Sequence, residues 1–241
     1  MRHPASAERD SLRALAREVT ACRRCPRLVE WRERAAAEPP RRYRGQRYWA
    51  RPLPGFGDAR GSIIVVGLAP AAHGGNRTGR FFTGDRSGEW LFAALHRARL
   101  ANQPTSEHLR DGLRLAGAYV TAVNRCPPPG NRPTPEERDN CLPYLVRELR
   151  LLAAARVLVP LGSFAWQNSL RALAELGAAI PRPRPRFAHG AELALGAEHE
   201  REHRWALVGC FHPSQQNTFT GKLTEPMMDA VLRRARELAA Q

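Results

Sequence analysis

The chain has 241 residues, with 38 arginines and lysines against 23 aspartates and glutamates, and a formal net charge of +15. This length suits one α/β domain with a full core, and no apolar run approaches the roughly 20 residues needed to cross a bilayer. The opening Met1-Arg2-His3-Pro4 has no signal-peptide pattern, so we expect a soluble, cytoplasmic protein. The charge indicates a polyanionic partner, with nucleic acid the first candidate.

The first 60 residues predict a helix followed by a basic segment. Apolar residues at helical spacing, including Leu12, Leu15 and Val19, predict a helix from Ser6 to about Arg34. Residues 39–54 are rich in arginine, tyrosine and tryptophan and predict an irregular surface segment. This segment either follows a nucleic-acid backbone or packs its aromatic side chains on the core.

A β-branched run at residues 62–67 predicts a strand buried on both faces, and it leads into a long glycine-rich loop at residues 67–85. Ser87 is the predicted cap of a helix that continues to about Arg99. In open α/β sheets, ligands bind outside the carboxyl ends of the strands. We therefore expect the functional site at the loop of residues 67–85.

Three further strands are predicted, each separated from the next by a helix. The strands span residues 118–123, 156–160 and 205–210; the helices span about 134–154, 163–176 and 224–239. Strands alternating with helices indicate a parallel sheet covered on both faces. The predicted fold class is α/β, a three-layer α/β/α arrangement around a four-stranded, mostly parallel sheet, in one domain spanning residues 1–241.

Four cysteines predict a metal site. Cys22 and Cys25 form a C-x-x-C pair, and Cys126 and Cys141 lie fifteen residues apart. An intracellular protein does not need disulfides, and both zinc and an iron–sulfur cluster accept four thiolates. The wide second spacing favours a [4Fe–4S] cluster over zinc, whereas Cys210 lies inside an apolar strand and is predicted to be a core residue.

Three segments together resemble the uracil-DNA glycosylase superfamily, and within it the family 5 (type b) enzymes, which carry an iron–sulfur cluster. The segments are GLAPAAHGGNRTGRFFTGD at 67–85, CPPPGNRP at 126–133 and HPSQQNTFTG at 212–221. The resemblance implies a four-stranded parallel sheet between helices, with a pocket for a flipped base at the strand ends. The four cysteines fall where the clustered families carry theirs, which implies that they hold a [4Fe–4S] cofactor.

The resemblance and the chemistry of base removal nominate three catalytic residues. His212 follows the fourth strand and is predicted to donate to uracil O2 as negative charge builds there. Asp85 is the nearest carboxylate for orienting water or stabilising the sugar cation, with a turn or helix cap as its other interpretation. Asn217 is predicted either to position water or to hold its loop.

The remaining candidates contact base or DNA. Phe82 is predicted to stack on the base, with Phe81 in the core, and Asn131 is the first choice to read the base, ahead of Asn124, because Ala122 replaces the usual asparagine. The other expected base contacts are Gly67, Ala69 and Ala71, and the expected DNA contacts are Arg77, Arg80, Gln215 and Gln216. No polar side chain is present in the run of residues 68–71, so the backbone must share in the chemistry.

We therefore expect a monofunctional glycosylase of base excision repair, acting as a nucleoid-associated monomer. It would release uracil, and other deaminated bases such as hypoxanthine, from DNA and leave an abasic site. Lys222 is the only lysine, which disfavours a Schiff-base mechanism that also nicks DNA. A non-enzymatic nucleic-acid-binding module with a structural zinc or iron–sulfur site on the four cysteines is the alternative, and an iron–sulfur electron carrier is a third possibility.

Overall fold

Six strands form one sheet in the computed structural model, which describes residues 10–196 and 205–241. In the order β1-β3-β2-β4-β6-β5, the strands are β1 (Phe56–Gly57), β3 (Ala118–Ala122), β2 (Ile63–Gly67), β4 (Val157–Pro160), β6 (Trp205–Val208) and β5 (Glu192–Leu195). The four central strands are parallel, and β1 and β5 are antiparallel at the two edges. The predicted α/β class is confirmed, although the count of four strands was wrong because it missed both edge strands.

Eight helices accompany these strands in the described residues. They are α1 (Leu12–Ala21), α2 (Pro26–Ala37), α3 (Gly75–Thr78), α4 (Arg86–Arg97), α5 (Pro135–Leu151), α6 (Ser163–Glu175), α7 (Gln215–Phe219) and α8 (Glu225–Ala239). Short 3-10 turns occur at Arg41–Tyr43 and Pro129–Asn131. Within the part of the chain described, no helix is long and apolar enough to span a membrane.

Side chains alternate across β2 and place helices on both faces of the sheet. Ile63 and Val65 belong to a core that includes residues of α4 and α8, whereas Ile64 and Val66 pack with residues of α5 and α6. Every residue of β2 is buried, as expected for a parallel strand covered on both sides. This is the three-layer arrangement predicted from the sequence.

The predicted N-terminal helix is two helices. Its predicted start at Ser6 lies outside the described residues, and α1 ends at Ala21, while α2 starts at Pro26. Proline has no backbone N–H and disfavours a helical conformation in the residue before it, so the chain breaks at the C-x-x-C pair. Cys22 is the C-cap of α1 and Cys25 the N-cap of α2.

The basic segment after α2 is partly buried. Leu53 is fully buried, Tyr48 is 8% exposed, and Trp49 packs against the core. The interpretation in which this segment packs its aromatic residues therefore holds for Tyr48 and Trp49. The arginines of the segment, Arg41, Arg42, Arg44 and Arg47, are exposed.

Candidate active site and cysteine cluster

A cavity of about 520 Å³ opens at the carboxyl ends of the central strands. It is lined by Leu68, Ala69, Ala71, Phe82, Asp85, Arg86, Ser87, Asn131, His212, Ser214, Gln215 and Gln216. These residues come from the loops after β2, β3 and β6, as expected for an α/β sheet. Eight of the predicted site residues are therefore brought together, and Gly67, Asn217, Arg77 and Arg80 are not among the lining residues.

The rings of Phe82 and His212 are neighbours in the wall of this cavity. Their ring centroids are 6.0 Å apart and the ring planes are inclined by 36°. Phe82 has a φ of +53°, an uncommon conformation for a residue with a bulky side chain. Phe81, next to it, is 1% exposed and belongs to the core, as predicted. Phe82 also contacts this core but lines the cavity, and its stacking on a base stays a prediction.

Gly67 lies behind the Phe82 ring. A β-carbon at position 67 would lie 2.7 Å from Cζ of Phe82, which is closer than real β-carbons approach. The glycine therefore supports the ring from behind, although it does not line the cavity.

His212 is electrically neutral at physiological pH. Burial lowers its pKa to about 4, because a charged imidazolium is poorly solvated there. Its backbone carbonyl accepts hydrogen bonds from the Ser214 N–H and from Nδ2 of Asn217, both at 2.8 Å. Asn217 therefore holds the loop that carries His212, the second of its two predicted roles.

Asp85 is the N-cap of α4. Its Oδ1 accepts a hydrogen bond from the Gly88 N–H at 3.0 Å, so the prediction that Ser87 caps this helix was wrong. Burial raises the pKa of Asp85, although the backbone N–H groups of Gly88 and Ser87 act in the opposite direction. The cap geometry fixes the carboxylate at the cavity wall, and the two interpretations of Asp85 are compatible.

The two asparagines considered as base readers occupy different environments. Asn131 lines the cavity, is exposed and has a φ of +57°. Asn124 is fully buried, and its Nδ2 donates to the carbonyl of Glu137 at 3.0 Å. Asn124 is not among the lining residues, so Asn131 is the better placed of the two.

The two arginines predicted to contact phosphate are occupied within the protein. Arg77 donates to the carbonyls of His73 and Gly84 and to Oε1 of Gln46. Arg80 is 6% exposed and forms a buried ion pair with Asp111. The structure contradicts the prediction for Arg80, because its side chain lies inside the protein.

Gln215 and Gln216 are exposed at the start of α7, where Ser214 is the N-cap. They also line the cavity. Both side chains therefore lie at the edge of the cavity, and their contact with DNA stays a prediction.

Sequence reasoning missed four lining residues, Leu68, Arg86, Ser87 and Ser214. The signals that point to them are positional: Arg86 and Ser87 directly follow Asp85, and Ser214 follows His212-Pro213.

The four predicted ligand cysteines line a second, narrow cavity. Cys22, Cys25, Cys126 and Cys141 meet there with Arg32 and Tyr144 among their neighbours. Among the described residues, no group of three or more His, Cys, Asp or Glu side chains is arranged to hold a single metal ion. Cys210 is instead buried in the main core, as predicted.

Two N–H donors lie next to these thiols and would offset the negative charge of thiolates. Nη1 of Arg32, which is 2% exposed, donates to Sγ of Cys126 at 3.2 Å, and Nδ2 of Asn140 donates to Sγ of Cys25 at 3.6 Å. Burial raises the pKa of Cys126 to about 12 and that of Cys141 to about 11. Bound metal ions would deprotonate such thiols. Arg32, which the sequence analysis did not single out, is part of this environment.

A parallel α/β sheet with a cavity at the carboxyl ends of its strands is the architecture implied by the resemblance to the uracil-DNA glycosylase superfamily. The comparison with protein families agrees. The chain matches the model of the Uracil DNA glycosylase superfamily over residues 54–236 and belongs to that family. The resemblance stated from the sequence is therefore confirmed.

Within this superfamily, the chain is similar to proteins of one named type. A protein named Type-5 uracil-DNA glycosylase from Mycobacterium tuberculosis is 52% identical over 222 residues, covering 92% of this chain and 79% of the relative. Proteins of the same name from Mycobacterium leprae and Thermus thermophilus are 49% and 47% identical. These two alignments cover 95% and 94% of this chain and 96% and 97% of the relatives.

Proposed function

We propose that this protein is a uracil-DNA glycosylase of base excision repair that hydrolyses the N-glycosidic bond of deoxyuridine in DNA. The observation that carries the proposal is the pairing of Phe82 with an uncharged His212 in one cavity, in a chain of this superfamily. The Type-5 uracil-DNA glycosylase name of the relatives supports the same activity. We propose further that one domain, acting as a monomer, carries it out.

Phe82 and His212 act on the base. A nucleotide flipped out of the stack places its base against the ring of Phe82. A ring N–H of neutral His212 then donates to uracil O2 as negative charge develops there. A fixed donor in a partly dry site stabilises this charge more in the transition state than in the ground state. Asn131 is the side chain placed to distinguish uracil from other bases.

Asp85 acts on the sugar side. Two backbone N–H groups hold its carboxylate at the amino end of α4, so the group is oriented before substrate binds. In this position it orients the attacking water or stabilises the oxocarbenium-like sugar. The backbone of Ala69 and Ala71 completes the wall, since residues 68–71 offer no polar side chain.

The product is an abasic site in an intact strand. Schiff-base chemistry requires an amine at the reacting carbon, and Nζ of Lys222 lies 5.0 Å from the centroid of the Phe211 ring. Lys222 is not among the residues that line the cavity. The protein is therefore proposed to be monofunctional.

Cys22, Cys25, Cys126 and Cys141 are proposed to hold a [4Fe–4S] cluster. When bound, the cluster would link the α1–α2 junction to the loop that begins at Cys126 and to Cys141 within α5. The guanidinium of Arg32 offsets the negative charge of the thiolates. The link would fix the loop of residues 126–134, which includes Asn131.

Uracil release from a labelled oligonucleotide tests the activity. We expect wild-type protein to produce alkali-sensitive sites without nicking the strand and without a borohydride-trapped adduct. His212→Ala should slow release by about 10²–10³-fold, whereas His96→Ala, at an exposed position of α4, should not. Wild-type protein that binds the oligonucleotide but releases no uracil would instead support the non-enzymatic binding module. A panel with hypoxanthine tests the breadth of bases.

Cysteine variants test the cluster. We expect purified protein to contain iron and to absorb visible light, and we expect Cys126→Ser to lose both. Cys210→Ser is the matched control, since Cys210 is also buried but lies in the main core, and it should keep the iron. Colourless protein that contains zinc would contradict the iron–sulfur proposal.

A further inference from the structure

A third cavity, of about 670 Å³, lies beside the start of α6. We call it the arginine groove, and its walls include Arg138, Arg171, Arg184, Arg186 and Phe187. Two of the arginines belong to the alternating proline and arginine run of residues 181–186. The proposed catalytic chemistry uses none of these residues, so it does not account for the groove.

The arginine groove carries an excess of positive charge. Arg138 and Arg171 both pair with Asp139, at 2.8 Å each. Arg184 and Arg186 are exposed, and no carboxylate of the described residues forms an ion pair with either one. Four guanidinium groups therefore line the groove, and Asp139, which pairs with two of them, is not among its lining residues. Arginine forks are well suited to phosphate oxygens.

The segment that carries Arg184 and Arg186 is held in place before any ligand binds. Nε1 of Trp166, a residue 1% exposed, donates to the carbonyl of Pro185 at 3.0 Å. The ring of Phe187 lies 6.2 Å from that of Trp166 and 6.0 Å from that of Phe211. Alternating prolines also limit the backbone, so little ordering entropy remains to oppose binding.

The groove begins next to the base pocket. Gly162, the residue before α6, donates its N–H to the carbonyl of Cys210 at 2.8 Å. A β-carbon at Gly162 would lie 3.6 Å from Cβ of His212. Phe187 is in contact with Phe211, which directly precedes His212. The two cavities are therefore neighbours around the His212 loop.

We propose that the arginine groove binds the phosphodiester backbone of DNA on one side of the nucleotide held in the pocket. The inference rests on the proposed function, because it takes the pocket as the place of the flipped base. Charge excess, a fixed arginine-bearing segment and a position beside the pocket favour DNA over an acidic protein. Phe187 adds an aromatic surface of the kind on which unpaired bases stack.

Binding of a fluorescent deoxyuridine oligonucleotide, measured by anisotropy over a range of salt concentrations, tests the proposal. Each lost phosphate contact lowers the magnitude of the log–log slope by about 0.7–0.9. We expect Arg184→Gln/Arg186→Gln to have a slope shallower than wild type by about 1.4–1.8, and Arg184→Lys/Arg186→Lys to keep the wild-type slope. The proposal would be overturned if the slope of Arg184→Gln/Arg186→Gln equals that of wild type. It would also be overturned if the glutamine and lysine double variants lose the same amount of slope.

Arg60→Gln/Arg150→Gln is the charge-matched control. Arg60 precedes β2, and Arg150 lies in the last turn of α5. The chain that follows α5 donates two N–H groups, from Arg156 and Val157, to the carbonyl of Ser62 at the amino end of β2. Both arginines are therefore near the amino end of β2, whereas the pocket is at the carboxyl end. Both arginines are exposed and lie away from the pocket. Their replacement should leave the slope unchanged. A slope loss equal to that of the Arg184/Arg186 pair would show a general charge effect and refute the groove.

Two further measurements separate the possible failures. If Arg184→Gln/Arg186→Gln loses binding to a fluorescent polyglutamate peptide but not to DNA, the groove serves an acidic protein and the proposal is wrong. Uracil release is measured on the same preparations. If wild type releases no uracil, the proposed function fails, while the anisotropy slopes still report whether the groove binds DNA.

Discussion

The Oδ2 oxygen of Asp85 lies directly against the α-carbon of Gly74. A methyl group at position 74 would collide with this oxygen, and the other carboxylate oxygen is already bonded to the Gly88 N–H. Gly74 thus leaves the space in which the carboxylate sits. The orientation of a proposed catalytic group depends on a residue eleven positions earlier in the same loop.

Gly74→Ala should therefore displace the Asp85 carboxylate. A shift of about 1 Å in a positioned group costs on the order of 10²-fold in rate, so we expect a loss of that size in single-turnover uracil release. Gly196→Ala is the control, because a β-carbon there meets no atom of the described residues within 4 Å. Normal release by a folded Gly74→Ala protein would argue against a catalytic Asp85.

Asp85→Ser separates the helix cap from the chemistry. Serine is a good N-cap, so this variant should unfold at nearly the wild-type temperature while releasing uracil far more slowly. Asp85→Ala removes both roles and should also lose about 0.5–2 kcal/mol of unfolding free energy. Equal rates for Asp85→Ser and wild type would reduce Asp85 to a cap.

The neutral state of His212 predicts the pH dependence of the rate. With a folded pKa of about 4, the ring is uncharged from pH 5 to pH 8, and uracil release should show no fall through pH 6.5 attributable to this group. Single-turnover rates across this range check the prediction. A rate that drops as pH rises through 6.5 would mean that a cationic histidine is required.

The same pKa predicts a pH dependence of stability. The ordinary histidine pKa of 6.5 applies to the unfolded chain, which therefore takes up the proton before the folded protein does. The stability of wild type relative to His212→Gln should then decrease as pH falls from 6.5 to about 4, and urea unfolding at pH 7 and pH 5 measures it. A difference that does not change with pH would contradict the lowered pKa.

The adjacent phenylalanines should respond differently to the same substitution. Phe82→Leu removes the aromatic face of the pocket, and loss of stacking worth about 1–3 kcal/mol should lower kcat/KM by roughly 5- to 150-fold. Phe81→Leu changes a packed core position and should mainly lower the unfolding free energy, by less than about 1.5 kcal/mol. Comparable kcat/KM values for the two variants would argue against stacking on Phe82.

Arg80→Gln should lower the unfolding free energy of the protein but leave the salt slope of DNA binding unchanged. It leaves Asp111 buried beside an uncharged partner, which costs about 3–5 kcal/mol. The pKa of Asp111 is lowered to about 2, where burial alone would raise it, by hydrogen bonds from Arg80, Leu113 and Glu107. Asp111 therefore stabilises the fold above pH 3.8, and this contribution should be lost as pH falls toward 2. An Arg80→Gln protein with normal stability and a shallower salt slope would restore Arg80 as a phosphate contact.

The central strands and the start of α5 were predictable because their signals are local, whereas most candidate site residues were predicted from the three segments that resemble the superfamily. The β-branched run of β2 and the Thr134 capping box, in which Thr134 and Glu137 bond reciprocally, depend on residues close in sequence. The edge strands were not predictable in this way. β1 has only two residues, and β5 is largely exposed, so neither has the apolar run of a buried strand.

The errors at Arg80 and at the cap of α4 have the opposite cause. The partner of Arg80 is 31 residues away, and no local pattern distinguishes a buried, paired arginine from one that faces DNA. For Asp85, the sequence allowed a cap or a catalytic group, and only the three-dimensional arrangement places one carboxylate at both a helix start and a cavity wall. The sequence therefore did not predict an ion pair between residues far apart in the chain, or one side chain with two roles.

The contact between α1 and α5 has a consequence for the order in which the protein is made. Leu15 and Val19 pack on Tyr144, and Arg147 bonds to Asp10 across 137 residues of chain. During synthesis from the N-terminus, the face of α1 formed by Leu15 and Val19 stays uncovered until α5 has left the ribosome. The cysteines on either side of this contact meet at the same late stage, so this face of α1 stays open to chaperones and proteases until residues 135–151 have been made.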